Sequence, residues 1–287
     1  MTMVMTAVIR RVLLVCIPLL SGCMDDKLAQ MSQRLATAQA NVIVLPDTML
    51  MPGLQRQRTI RLYLPPGYAE SAKHYPVLYM HDAQNLFDDA TSYAGEWGID
   101  ETLNELAQSK GLELIVVGID NGLDKRMNEL SPWANEEFGP GEGEQYMDFI
   151  VTVVKPYVDG HYRSRGQRQH TAIMGSSMGG LISHYAIHQY PQVFAKAGVF
   201  SPSFWYASES YKQAQQHPLP VDARVYYLAG TAESDTMVGH MLKMAQQQTG
   251  QGHPAQNIQT KVVADGQHNE GFWRSEFATA IQWLFRP

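Results

Sequence analysis

The chain has 287 residues, 45% of them apolar and 17% charged, with a formal net charge of −6. That length suits one domain stabilised by its own core. The mild acidity and the lack of a basic run exclude a nucleic-acid binder, and two early cysteines, Cys16 and Cys23, exclude a disulfide framework.

In chain order, the first element is a targeting signal. Arg10 and Arg11 precede an apolar run over residues 12–20, followed by Ser21, Gly22 and Cys23. The run is too short for a comfortable membrane span and has the form of a secretory signal. Cys23 directly after Leu-Ser-Gly resembles the cleavage site of a bacterial lipoprotein. The resemblance implies removal of residues 1–22, lipidation of Cys23 and anchoring in a membrane by acyl chains. Met24 after the cysteine implies the outer membrane, with the domain facing the periplasm. Residues 23–40 are polar and rich in Ala and Gln, and read as a tether.

From residue 41 the pattern alternates. Residues 41–45, 58–64, 75–80, 112–119, 171–174, 195–200, 224–229 and 259–264 are apolar runs of strand length. Residues 97–110, 145–157, 180–190 and 273–284 carry helical spacing. This order predicts an α/β class domain over 41–287, with a mostly parallel central sheet, helices on both faces and no large cap. Residues 121–144 form a polar connector too long to be passive. It carries Arg126, Asn128, Glu129 and Trp133.

The strongest chemical signal is Gly175-Ser176-Ser177-Met178-Gly179, between an apolar strand and a helical run. Strand, tight turn and helix make a nucleophile elbow, which exposes the Ser177 hydroxyl above the sheet. Met178 opens the helix, so its N–H can face a developing oxyanion. Such a serine needs a base, and the base needs an acid, in the chain order Ser, Asp/Glu, His for an α/β-hydrolase fold. His268 lies in the loop between the last strand and the last helix, and is the expected base; His217, His240 and His253 sit in polar helical or Pro-flanked segments and read as surface residues. Glu233 and Asp235 follow the preceding strand; Glu233 is preferred because a turn through Gly230 brings it back toward the strand ends. A second oxyanion donor should leave the strand at 75–80, with Gln84 first and Ala83 second.

These residues, with His81-Asp82-Ala83-Gln84-Asn85 upstream and Trp273 after the histidine, resemble the Putative esterase family, which includes esterase D, enterochelin-type and feruloyl esterases and bacterial mycolyltransferases. The resemblance runs from about residue 41 to the end. It implies Ser177 as nucleophile, His268 as base, Glu233 as acid, and Gln84 and Met178 as oxyanion donors, with no cofactor. Ala83 stands where the family usually has glycine; a positive φ there would strain it.

The expected activity is hydrolysis of a carboxylic ester (an acylated sugar, a siderophore or a short-chain ester) through an acyl-enzyme. An acyltransferase using the same triad and a non-catalytic binding lipoprotein are the alternatives. In the aromatic block Ser201-Pro202-Ser203-Phe204-Trp205 after the strand at 195–200, Phe204 and Trp205, together with Trp273 and Arg126, are candidate substrate contacts. Phe204 and Trp205 read equally well as core. His184 and His188 have HExxH spacing, but Tyr185 replaces the glutamate, so no metal is expected. Oligomeric state has no signal in the sequence.

Overall fold

The computed structural model describes residues 34–286. Eight strands form one sheet in the order β1-β4-β6-β5-β7-β8-β9-β10. They are β1 Val42–Val44, β4 Ile60–Tyr63, β5 Val77–His81, β6 Ile115–Ile119, β7 Thr171–Ser176, β8 Lys196–Phe200, β9 Arg224–Gly230 and β10 Ile258–Val263. From β6 to β10 every neighbour is parallel, whereas β4 is antiparallel to both β6 and β1. β5 to β9 are almost continuously buried, as parallel strands covered on both faces must be.

Helices α1 Ile99–Lys110 and α7 Glu270–Leu284 pack on one face, and α4 Met178–Gln189 packs on the other with α5 Glu209–Gln216 and α6 Met237–Gly250. The result is a single α/β-hydrolase domain without a large cap domain. Chain order reverses direction across the sheet at β5, with β6 on one side and β7 on the other. Ligands in open α/β sheets bind outside the carboxyl ends of strands at such a switch.

Three departures from the sequence reading have physical causes. The expected helix over 145–157 is built from α2 Gly143–Phe149, a π turn at Ile150–Val154 and α3 Lys155–His161. Pro156 lies at the start of α3. It lacks an N–H, and the wider π turn just before it accommodates the interrupted ladder. A hairpin of β2 Met49–Met51 and β3 Arg56–Arg58 was not expected, because Arg-Gln-Arg is no apolar run. Its arginines serve the long connector. Glu129, almost fully buried, accepts from Arg58 Nη2 at 2.6 Å and from Arg56 Nη1 at 2.8 Å, and Arg56 also holds Glu142. His253, read as a surface residue, is buried with Nε2 against the Ala223 carbonyl at 3.0 Å.

The signal at residues 1–22 and residues 23–33 of the segment read as a tether lie outside the described residues. Residues 34–40 are fastened to the segment preceding and opening α1. Arg34 Nη1 donates to Ser92 Oγ at 2.9 Å, Thr37 Oγ1 to Glu96 at 2.9 Å, and the Gln39 N–H to Asp100 Oδ2 at 2.8 Å. Burial, aided by the neighbouring charge of Glu101, pushes the Asp100 carboxyl up to about 7. The folded state therefore holds this proton more tightly than the unfolded chain does. The stabilisation is fully present below the ordinary carboxylate range and is lost as pH rises through about 7. Asp100→Asn keeps an acceptor for Gln39 and removes the titration. Its thermal midpoint should exceed wild type at pH 8 and fall less between pH 5 and 8. Parallel melting curves with an unchanged pH slope would contradict this.

Candidate active site

Ser177 occupies the turn between β7 and α4 with φ 57° and ψ −121°. This conformation costs energy in a non-glycine residue and is held by the surrounding bonds. The Ser177 N–H donates to Phe200 O at 3.0 Å, and the Ser177 carbonyl accepts from Ser203 N at 3.1 Å and Leu181 N at 3.0 Å. The glycine that opens the pentad is needed for closeness: a Cβ on Gly175 would lie 2.7 Å from the Gly179 backbone, whereas one on Gly179 would approach nothing nearer than 3.4 Å. No side chain fits where strand and helix cross so tightly.

Glu233 and His268 arrive on the loops after β9 and β10. Those loops are laced together, with Thr231 N donating to Val263 O and Ala232 N to Gly266 O, both at 3.0 Å. His268 Nδ1 lies 2.6 Å from Glu233 Oε2. The Glu233 side chain is completely buried, while that of His268 is 35% exposed. Glu233 Oε1 accepts from Gly230 N at 2.5 Å and Ser201 Oγ at 2.8 Å. Ser201 in turn accepts from Trp273 Nε1 at 2.8 Å. Because the indole can only donate, it fixes the Ser201 hydroxyl as a donor toward the carboxylate. The Trp273 ring also stands edge-on to the imidazole at 5.0 Å. Trp97 packs against Trp273, and Phe200 and Phe277 pack in turn against Trp97.

Ser177 and His268 line one cavity of about 620 Å³. The Ser177 hydroxyl is turned to Ser203 Oγ at 3.3 Å, and no hydrogen bond joins it to the imidazole among the described residues. Gln84 and Trp273 also line the cavity. Gln84 sits in the short 3-10 turn Ala83–Asn85 after β5, and Met178 is the first residue of α4. In a first helical turn, N–H groups have no helical acceptor and are available to an anion. The positive φ in this loop falls on Asp82, at 56°, and Ala83 is the first residue of the 3-10 turn. The expected strain at Ala83 is therefore absent. Its methyl is accommodated by Gly118 on β6, where an added Cβ would come within 2.7 Å of it.

Arg126 lines the cavity, but its Nε and Nη2 are committed to Asp82 at 2.6 and 2.9 Å. Burial tends to raise the Asp82 pKa, yet Arg126 and the Asn121 amide outweigh it and hold the carboxylate below its usual range. Burial pushes His81 down to about 4. It is neutral at neutral pH and bonded through Nδ1 to Tyr146 Oη at 2.7 Å. The Glu270 carboxyl, also in the cavity, is raised by burial and by the nearby charge of Asp82.

Two of the candidate substrate contacts lie off the cavity. Phe204 is buried against His184 and Tyr211, and Trp205 is 55% exposed on Tyr206 outside the cavity. The tight turn with Phe204 N bonded to Pro202 O swings both rings off the rim. Tyr93 and Leu123, 66% and 80% exposed, line that cavity instead. Ser201 was read only as part of an aromatic block, and its link to Glu233 was missed; its φ of 44° at a strand end is invisible in sequence. His184 and His188 share the Gln248 amide in the core.

The family model described as Putative esterase matches residues 52–284. Among curated proteins, the uncharacterised YbbA of Bacillus subtilis strain 168 is 28% identical over 243 residues, 79% of this chain and 92% of that one. A solved ferulic acid esterase is similar with a TM-score of 0.66 at 20% identity, covering 86% of this chain and 99% of its own. An IroE-like serine hydrolase from Shewanella oneidensis has a TM-score of 0.69 at 19% identity, covering 85% of this chain and 79% of its own. At those identities the structures speak for the fold, and the family match carries the assignment: the chain belongs to the Putative esterase family.

Proposed function

We propose that the protein is a serine esterase that hydrolyses a small-molecule or glycan carboxylic ester through an acyl-enzyme. The observation that carries this reading is the bonded series from Trp273 through Ser201 and Glu233 to His268, ending in the cavity that Ser177 shares. With Nδ1–H held by Glu233, the imidazole presents a basic Nε2 to the cavity. Rotation of the Ser177 hydroxyl away from Ser203 brings it into use as the nucleophile. His268 takes its proton as Oγ attacks the acyl carbon. The Met178 and Gln84 N–H groups receive the oxyanion. His268 then protonates the leaving alcohol and activates the water that releases the acid.

The cavity walls favour an ester with a compact apolar or aromatic part and a hydroxylated end. Met80, Ala94, Trp97 and Leu123 supply the apolar side; Asn85, Asn121 and Glu270 supply hydrogen-bonding groups. Esters of phenolic acids and acylated sugars have that form. A fluorophosphonate probe should label Ser177, and a panel of p-nitrophenyl esters beside feruloylated and acetylated saccharides should give turnover. Absence of both labelling and turnover would favour a binding protein. A product joined to an added alcohol, in preference to the free acid, would favour the acyltransferase.

We further propose that Cys23 carries lipid and holds the domain at the outer membrane, facing the periplasm. Among the described residues no helix is long and apolar enough to cross a membrane, and Cys23 lies outside them. The sequence Leu-Ser-Gly-Cys supports the proposal. The full-length chain expressed in a bacterium should fractionate with membranes, and Cys23→Ser should not be lipidated. Equal membrane association and no lipid label in the wild type would sink it.

A further inference from the structure

The turn that carries Gln84 is fastened from outside as well as from within. Its own bonds run from Asn85 N to Asp82 O at 2.9 Å and from Leu86 N to Ala83 O at 3.2 Å. They leave the Gln84 N–H without an acceptor among the described residues. Asp82, just before the turn, has the positive φ of 56° that is uncommon outside glycine. The start of the long connector grips both residues. The Asn121 N–H donates to Gln84 Oε1 at 3.1 Å, and Asn121 Nδ2 to Asp82 Oδ1 at 2.6 Å. Arg126 sets a fork on the same carboxylate, Nε on Oδ1 at 2.6 Å and Nη2 on Oδ2 at 2.9 Å. Such two-point pairs fix orientation as well as distance.

The fork has a fixed base. Arg126 and Glu129 share one short helical turn, Arg126–Glu129. Glu129, almost fully buried, is held by Arg58 and Arg56 of the β2–β3 hairpin. The hairpin therefore anchors the connector, and the connector anchors the turn at Gln84.

Charge gives the fork a second consequence. Asp82 is buried, and a Cβ added to Gly179 would lie 3.5 Å from its Oδ2. The carboxylate thus stands beside the opening of α4, whose Met178 N–H is the other oxyanion donor. An unmatched negative charge at that place would oppose a developing oxyanion. Among the described residues Arg126 is the cation paired with it.

We propose that Arg126 is a positioning residue for the oxyanion hole: through its fork on Asp82 it fixes the turn that presents the Gln84 N–H and neutralises the carboxylate beside the hole. This role rests on the esterase reading, and it gives a side chain on the cavity wall a task other than holding substrate. Lysine would restore the charge but not the two-point geometry.

The test is steady-state kinetics of the full chain on a p-nitrophenyl ester, with Arg126→Lys, Arg126→Gln, Asp82→Asn and the double variant Asp82→Asn, Arg126→Gln. Arg126→Gln should lower kcat about 10²-fold, the scale of one oxyanion donor, with KM near wild type. Arg126→Lys should fall between the two. Phenylboronic acid forms a tetrahedral adduct on a serine, so its inhibition constant should rise by the same factor as kcat falls. That of the corresponding amide, a ground-state mimic, should not move. Because Arg126 acts through Asp82, the double variant should be no more damaged than Arg126→Gln. The double variant leaves no buried charge unpaired, and asparagine suits the positive φ. It carries the test if Arg126→Gln does not fold, with kcat expected about tenfold or more below wild type.

A rise in KM with kcat retained would make Arg126 a substrate contact and overturn the proposal. So would losses that multiply in the double variant. So would fewer fluorophosphonate-titratable sites with boronate affinity unchanged, the mark of lost stability alone. A wild type with neither turnover nor fluorophosphonate labelling removes the esterase reading and this role with it. An active wild type whose Arg126 variants match it removes this role alone.

Discussion

Ser177→Ala should lower kcat for a p-nitrophenyl ester by about 10⁴-fold or more, with KM and thermal midpoint near wild type. The loss is large because nothing else in the cavity is built to attack. Ser203 Oγ is the nearest rival, 3.3 Å from Ser177 Oγ. Ser203 is 1% exposed and does not line the cavity, so Ser203→Ala should cost less than about tenfold, as for one lost hydrogen bond. Alanine at 177 keeps the backbone bonds to Phe200, Leu181 and Ser203 and adds no bulk. The positive φ is already imposed on a residue with a Cβ, so the fold should survive. Retention of a tenth of the activity in Ser177→Ala, or a larger loss in Ser203→Ala, would remove Ser177 from the mechanism.

How much of this site could be read beforehand depends on what kind of information places each residue. The elbow is local: strand, glycine, serine, glycine and helix all lie within β7 and α4, and the sequence pattern therefore carries it. His268 and Glu233 are placed by topology, as each lies on the loop leaving one of two adjacent parallel strands, β9 and β10. Alternating elements were enough to find those loops. Ser201 is different. Its part depends on a backbone twist at the end of β8 and on an indole 72 residues away, and neither leaves a periodic trace. Phe204 and Trp205 mislead for the same reason, because a turn of two residues decides which way a ring points. The β2–β3 hairpin was hidden because its arginines match a buried glutamate in a distant connector, a pairing that hydrophobic pattern does not register. The mostly parallel class of the sheet followed from element type, since buried parallel strands are long apolar runs; its strand order was not read from the sequence.

The second large effect is expected at Glu233. Glu233→Gln should reduce kcat by about 10³- to 10⁴-fold with KM little changed, by analogy with triads whose acid is made neutral. The bonding around Glu233 explains why a near-isosteric change would cost so much. Oε1 accepts from Gly230 N and Ser201 Oγ, both donors. A glutamine must therefore place its oxygen there, because its NH₂ facing the Gly230 N–H would leave two donors opposed. The NH₂ then faces His268 Nδ1, which must accept instead of donate. That moves the imidazole proton to Nε2, the nitrogen required to take the proton of Ser177, and the base is lost without any change in shape. Glu233 has no exposed side-chain surface and does not line the cavity, so ground-state binding should hold and the deficit should fall on kcat. Asp235 offers the control. It follows the same strand but has no bond to His268 among the described residues, and Asp235→Asn should stay within about threefold of wild type. If the Asp235 variant were the more damaged of the two, or if KM rose in step with the fall in kcat in Glu233→Gln, the acid would have to be reassigned and the relay from Trp273 to His268 would lose its part in catalysis.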